Sequence, residues 1–266
     1  MNKYNIYIIC KNEQVFNEKV KMLDKYKKKI CKIQLIPAEF LKVTNCNKKK
    51  LLCKLNTRYN TGEKNKISKL GCISAHRKAL LAIINNQTIN NIILEEDSVI
   101  SNHLPNPPKI SCYLGGWIIP PQITKAGKEK IQIQNLKYNQ LNTIDYNKFK
   151  VLMAHSYFIK NIKEAEQILF STIEIDKIKN YDVHLIDLKF LNHYYYPPIF
   201  VQGKHVSDID NKINKNHIYT MNYGLNLKIK KNKSKNKGKN KSKNKSKNKS
   251  KNKSKIKSKI KSKIGV

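Results

Sequence analysis

GCISAHRKALLAIINNQTINNIILEED, residues 71–97, reads as a helix, a polar turn, a buried strand and then three consecutive acids. Leu80, Leu81, Ile83 and Ile84 recur at helical spacing after His76, and Ile92, Ile93 and Leu94 form an unbroken apolar run. Burying carboxylates costs far more than a hydrogen bond returns, so acids at the tip of such a strand need a partner. A divalent cation is the first candidate for Glu95, Glu96 and Asp97. On an extended segment side chains alternate, which puts Glu95 and Asp97 on one side as ligands. Glu96 then faces the opposite surface or a backbone amide. Hard oxygen donors suit Mn²⁺ or Mg²⁺, with phosphates and waters completing the shell. The competing reading is an acidic turn that caps the next segment with the help of Ser98.

Upstream, Tyr4–Cys10 predicts a strand, residues 12–27 a helix with Val15, Phe16, Val20 and Leu23 on one side, and Ile33–Ile36 a second strand ended by Pro37. This β-α-β opening predicts an α/β domain with a mostly parallel central sheet, whose ligands bind beyond the carboxyl ends of the strands. Residues 44–69 are polar and lysine-rich and read as a long loop with one helix near residues 51–55.

Downstream, residues 110–114 predict a strand, and Gly115-Gly116 a close backbone approach or a bulge. Residues 124–150 read as a polar cover, 151–159 as a strand and 163–170 as a helix. Asp182 opens another helix, and the stretch HYYYPPIFVQ gives short strands broken by Pro197-Pro198. Tyr113 and Trp117 suit either core packing or stacking on a ring of the substrate.

The chain has 266 residues and a formal charge of +36. Residues 227–266 hold 19 lysines and no acids, which leaves 35 Lys and Arg against 18 Asp and Glu in residues 1–226. The lysine-rich end is built on KNKS repeats that cannot bury apolar surface, so two parts are expected: a folded domain over 1–226 and a disordered tail over 227–266. Such a tail favours polyanions or an anionic membrane surface. Ile256, Ile260 and Ile264 recur every four residues near its end, a weak amphipathic pattern. The amino-terminal apolar run is too short for a signal segment and no run approaches a membrane span, so a cytoplasmic, at most membrane-peripheral, protein is expected. Six cysteines without a CxxC pair read as reduced thiols, and zinc is not expected.

The 71–97 stretch resembles glycosyltransferase family 25, which includes bacterial lipooligosaccharide glycosyltransferases and animal collagen galactosyltransferases. Gly71, Cys72 and His76 match its Gly-Cys-x-x-Ser-His motif at the start of a helix, and Leu94, Glu95 and Asp97 match its Leu-Glu-Asp-Asp motif. AHSYFI (154–159), YDVHLID (181–187) and PIFVQGKHVSDID (198–210) are similar to later family segments, in the same order. The chain departs at Ala75, where the family has serine, at Glu96, where it has aspartate, and after the first strand, where lysines replace arginines.

The resemblance implies a GT-A-like fold and an inverting, metal-dependent transfer of galactose or glucose from a UDP-sugar. The acceptor would be a hydroxyl of a glycan or of hydroxylysine in a collagen-like protein. It implies Glu95 and Asp97 as ligands of Mn²⁺ or Mg²⁺ and Asp182 as the base on the acceptor, with Asp187 the weaker alternative. Gly71, His76, Glu96, Gln202, Ser207 and Asp208 would bind substrate; His76 alternatively positions the acidic stretch. The rival readings are a catalytically inactive relative serving as a scaffold, and a polyanion- or nucleic-acid-binding protein acting through the tail.

Overall fold

Strand β1 (Tyr4–Cys10) is apolar at every position but Asn5 because both of its faces are covered. Tyr4, Ile6, Ile8 and Cys10 enter one core, and Tyr7 and Ile9 enter a second core on the other side of the sheet. The alternation holds across β3 (Asn91–Glu95), where Ile92 and Leu94 join the first core and Ile93 the second. A sheet covered on both sides explains the unbroken apolar runs.

The computed structural model describes residues 2–38, 63–119, 136–152, 154–173 and 180–203. All of them lie in the unit Met1–Ile229, from which Lys230–Val266 divides. The expected boundary near residue 227, the lysine-rich tail, the helix near residues 51–55, and Ser207 and Asp208 fall outside the described residues.

Helix α1 (Glu13–Leu23) starts at Asn12, whose side chain accepts from the Val15 amide, and gives way to a 3₁₀ turn at Asp24–Lys29. It lays Val15, Phe16 and Leu23 on the first core. Strand β2 (Ile30–Pro37) then pairs parallel with β1. Helix α2 (Glu63–Asn85) covers the opposite face with Ile73, Ala79, Leu80 and Ile83, and leads into β3, which pairs parallel with β1 on its other edge. The chain therefore leaves β1 first to one side and one face, and later reaches the other side by the other face.

After β3 a turn at Glu96–Asp97 leads to β4 (Ser98–Ile100). There follow β5 (Cys112–Tyr113), β6 (Trp117–Ile119), β7 (Gln140–Thr143), β8 (Lys150–Leu152) and β9 (Ser156–Ile159). Helices α3 (Ile162–Ile173) and α4 (Tyr181–Leu188), then β10 (His193–Tyr196) and β11 (Phe200–Gln202), complete the described chain, with a cis Tyr196–Pro197 bond after β10. The main sheet has seven strands in the order β2-β1-β3-β9-β5-β10-β7, and two small ribbons join β11 to β4 and β6 to β8.

The expected α/β architecture is present, with three corrections. The sheet is mixed: β2-β1, β1-β3 and β5-β10 are parallel, whereas β3-β9, β9-β5 and β10-β7 are antiparallel. Residues 63–69, expected in a loop, form the beginning of α2, so Gly71 is buried well inside that helix and not at its entry. Part of the expected polar cover is β7, an edge strand whose QLNT sequence suits its exposed position. Leu81, one of the apolar residues at helical spacing, is 44% exposed.

No helix among the described residues is long and apolar enough to cross a membrane.

Candidate functional site

Side-chain parity along β3 aims Glu95 the same way as Ile93, toward α2. Register pairs Ile9 of β1 with Glu95, so the carboxyl ends of the two parallel strands are level. Between them lies the point where the chain switches sides, the place at which open α/β sheets form their ligand crevice. The acids sit there.

Each of the three is held by a different part of the chain. Glu95 Oε1 lies 2.9 Å from His76 Nε2, and the Glu95 amide donates to the His155 carbonyl at 2.9 Å. Glu96 accepts from the backbone amide of Lys11 at 3.0 Å and pairs with its ammonium at 3.1 Å. Asp97 Oδ2 accepts from Gln202 Nε2 at 2.6 Å, and its carbonyl accepts from the Gly203 amide at 2.6 Å. Ser98 Oγ donates to the His155 carbonyl at 2.5 Å, which ties down the residue after the turn. The reading of the acids as a mere cap for the next segment leaves these long-range bonds unexplained.

The turn overrides the alternation expected from an extended segment. Glu95 and Asp97 do not converge as side chains of one strand; Glu95 goes to α2 and Asp97 to the end of β11. Gln202, expected at the substrate, has a partner within the protein in Asp97.

Behind Glu95 stands a buried polar chain. His76 is 1% exposed; its Nδ1 lies 3.0 Å from Tyr157 Oη, which lies 2.9 Å from Tyr181 Oη. The His76 ring also stacks on Tyr181, with centroids 4.1 Å apart and planes 11° from parallel. Burial alone would raise the Glu95 carboxyl, but the hydrogen bond and charge of His76, helped by His155 and Cys72, hold it below its ordinary value. An ionised Glu95 accepts only, so His76 Nε2 carries the hydrogen it shares with Glu95. In the neutral ring Nδ1 then accepts from Tyr157. His76 is thus a positioning residue for the acid.

Cys72, one helical turn before His76, brings its thiol to 3.9 Å from Glu95 Oε1. Burial, followed by the charges of Glu95 and Asp182, pushes that thiol well above its usual range. Cys72, His76 and Glu95 offer donor atoms within 4.8 Å of one another, the one group of three potential metal ligands among the described residues. Asp97 is outside this group, although its negative charge also reaches Cys72. As ligands for a hard divalent ion, Glu95 and Asp97 fit in donor type, and His76 and Gln202 orient them as outer partners do. Two carboxylates are few, so most of the shell would have to come from outside the protein.

Asp182 lies half-buried in the first turn of α4, where its Oδ1 accepts from the Val183 amide at 2.8 Å. Its charge is felt by Lys69 and Cys72 of α2 and by Tyr113, which sets it on the α2 side of the sheet. Asp187 is exposed near the end of the same helix. Tyr113 is core, at 1% exposure, and Trp117 is half-buried in β6.

Gly115 is the close approach expected at the Gly-Gly step. A Cβ there would collide with Ser156 Oγ, His155 Nε2 and the Phe200 carbonyl oxygen. Gly116 has φ 121°, a region that favours glycine. Sequence reasoning missed Cys72 as a donor and His155 as the support of the acidic turn. The spacing of Cys72 and His76, one turn apart on a helix, was the available signal for the former.

No protein-family model matches the chain, and no curated protein matches it.

Proposed function

We propose that residues 1–226 are a GT-A-type hexosyltransferase that moves galactose or glucose from a UDP-sugar to a hydroxyl of a glycan or of hydroxylysine in a collagen-like protein. The observation that carries this reading is the acidic turn at the switch point between β1 and β3, held from three sides. Support also comes from the order of the motifs shared with glycosyltransferase family 25. A Mn²⁺ or Mg²⁺ ion bound there supplies positive charge to the departing diphosphate.

Glu95 and Asp97 would each offer that ion a carboxylate oxygen, Glu95 held by His76 and Asp97 by Gln202. Lys11, which already meets Glu96, adds a cation beside the phosphates. Asp182 takes the proton of the acceptor hydroxyl on Oδ2, while the Val183 amide holds Oδ1. His76 acts on the substrate only through Glu95.

The test is release of UDP from UDP-galactose and UDP-glucose by the full chain, with and without manganese. Asp97→Ala should lower metal-dependent turnover by about 100-fold or more, the size of losing one electrostatic partner of the transition state. Calorimetry that finds no metal-dependent binding of any UDP-sugar to the wild type would refute the enzyme reading and favour the scaffold. The 19 lysines of residues 227–266, with no acid among them, support an added role in holding polyanions.

A further inference from the structure

We propose that Cys72, His76 and Glu95 form a binding site for a borderline-soft divalent cation of the zinc class, which shares only Glu95 with the acidic turn. A thiol, an imidazole and a carboxylate are the ligand types zinc takes, and three protein ligands with an open fourth position make a catalytic-type zinc site. Cys72 and His76 are four residues apart on α2 and therefore share a face, and parity along β3 delivers Glu95 to it. The contacts of 2.9 Å from His76 to Glu95 and 3.9 Å from Cys72 to Glu95 are close to the ligand separations of a tetrahedral shell.

The surroundings match the demand for a supported ligand. Metal-bound histidines give their other ring nitrogen to an outer partner, and Tyr157 Oη stands at His76 Nδ1 with Tyr181 Oη behind it. Stacking on Tyr181 fixes the ring plane. Glu95 keeps 27% of its side-chain surface exposed, which gives an entry path from solvent.

Binding balances as follows. The Cys72 thiol loses its proton to solvent as the sulfur–metal bond forms. Starting from a neutral His76 ring, the hydrogen passes from Nε2 to Nδ1, Nε2 takes the metal, and the Tyr157 hydroxyl turns from His76 to Tyr181. From that state one proton leaves per ion bound. A cost of deprotonating a buried thiol selects metals that bind sulfur strongly, so Zn²⁺ and Co²⁺ should bind and Mg²⁺ should not.

The experiment is calorimetric titration of the full chain with Zn²⁺ in buffers of different ionisation enthalpy, with Co²⁺ spectra and zinc-edge X-ray absorption alongside. One ion, one proton released and one sulfur ligand at about 2.3 Å are expected. Cys72→Ser should lower zinc affinity by about 100-fold or more and remove the thiolate-to-cobalt charge-transfer band, and Tyr157→Phe should cost about 10-fold. Equal zinc affinity in wild type and Cys72→Ser, or absorption showing only nitrogen and oxygen ligands in the wild type, overturns the proposal. The absorption measurement needs no variant, so it decides the matter even if Cys72→Ser fails to fold. Manganese-dependent UDP-sugar binding by the wild type is read separately, so failure of this site and failure of the transferase reading are distinguishable.

Discussion

Tyr157 holds two buried partners with one hydroxyl, and that makes its removal a sharp test of the polar chain behind Glu95. Tyr157→Phe keeps the ring and its packing in the core but strips the group that meets both His76 Nδ1 and Tyr181 Oη. These partners are 1% and 3% exposed, so water cannot easily replace the lost bonds. A buried polar group left unsatisfied costs about 1–3 kcal/mol, which puts the total for the two at about 2–6 kcal/mol. Tyr181→Phe is milder, because Tyr157 still meets His76; about 0.5–1.5 kcal/mol is expected. In the double variant the stranded Tyr181 hydroxyl is gone, so its cost should fall short of the sum of the single changes by about 1 kcal/mol. Urea unfolding with a slope of about 2 kcal/mol/M would report Tyr157→Phe as a midpoint lowered by about 1–3 M. Refutation would be a Tyr157→Phe cost no larger than that of Tyr181→Phe, or single effects that simply add.

Three further outcomes are expected. Gly115→Ala should destabilise by about 1–3 kcal/mol in the same assay, because the new methyl meets a backbone oxygen and a fully buried imidazole; a change within about 0.5 kcal/mol would show that the approach is not tight. Gln202→Ala should cost about 1.5–3 kcal/mol for the lost bond to a carboxylate and weaken manganese-dependent UDP-sugar binding by about 10–100-fold, read by calorimetry. Deleting residues 227–266 should abolish salt-sensitive heparin binding while leaving donor turnover unchanged; undiminished heparin affinity would assign polyanion binding to residues 1–226.

The parts of the fold legible in the sequence were those with one dominant local signal. Strands β1 and β3 are buried on both faces and read as apolar runs, and Asn12 announces α1 through its cap. The start of α2 was hidden because EKNKISK carries helix-forming lysines without an apolar stripe. β7 was hidden because an edge strand with one solvent-facing side need not be apolar. At the site, the acids themselves were visible, and their partners were not. Gln202 reaches Asp97 across 105 residues and Lys11 reaches Glu96 across 85, distances over which no spacing rule operates. The turn at Glu96–Asp97 also defeated the alternation rule at the one step where it mattered for the ligands.

Glu95 and Asp97 are near neighbours in sequence yet hang from structures of unequal strength. Glu95 ends a central strand of the seven-stranded sheet, whereas Asp97 depends on the three-residue ribbon of β4 with β11. Small peripheral ribbons open at lower free energy than central strands. Gentle warming should therefore release Asp97 first, leaving Glu95 clasped by His76 in a protein whose helices and main sheet still give a native circular dichroism signal. Donor binding would then fade well below the global melting point while zinc uptake persists, as though the molecule carried a thermal fuse at the lip of its crevice.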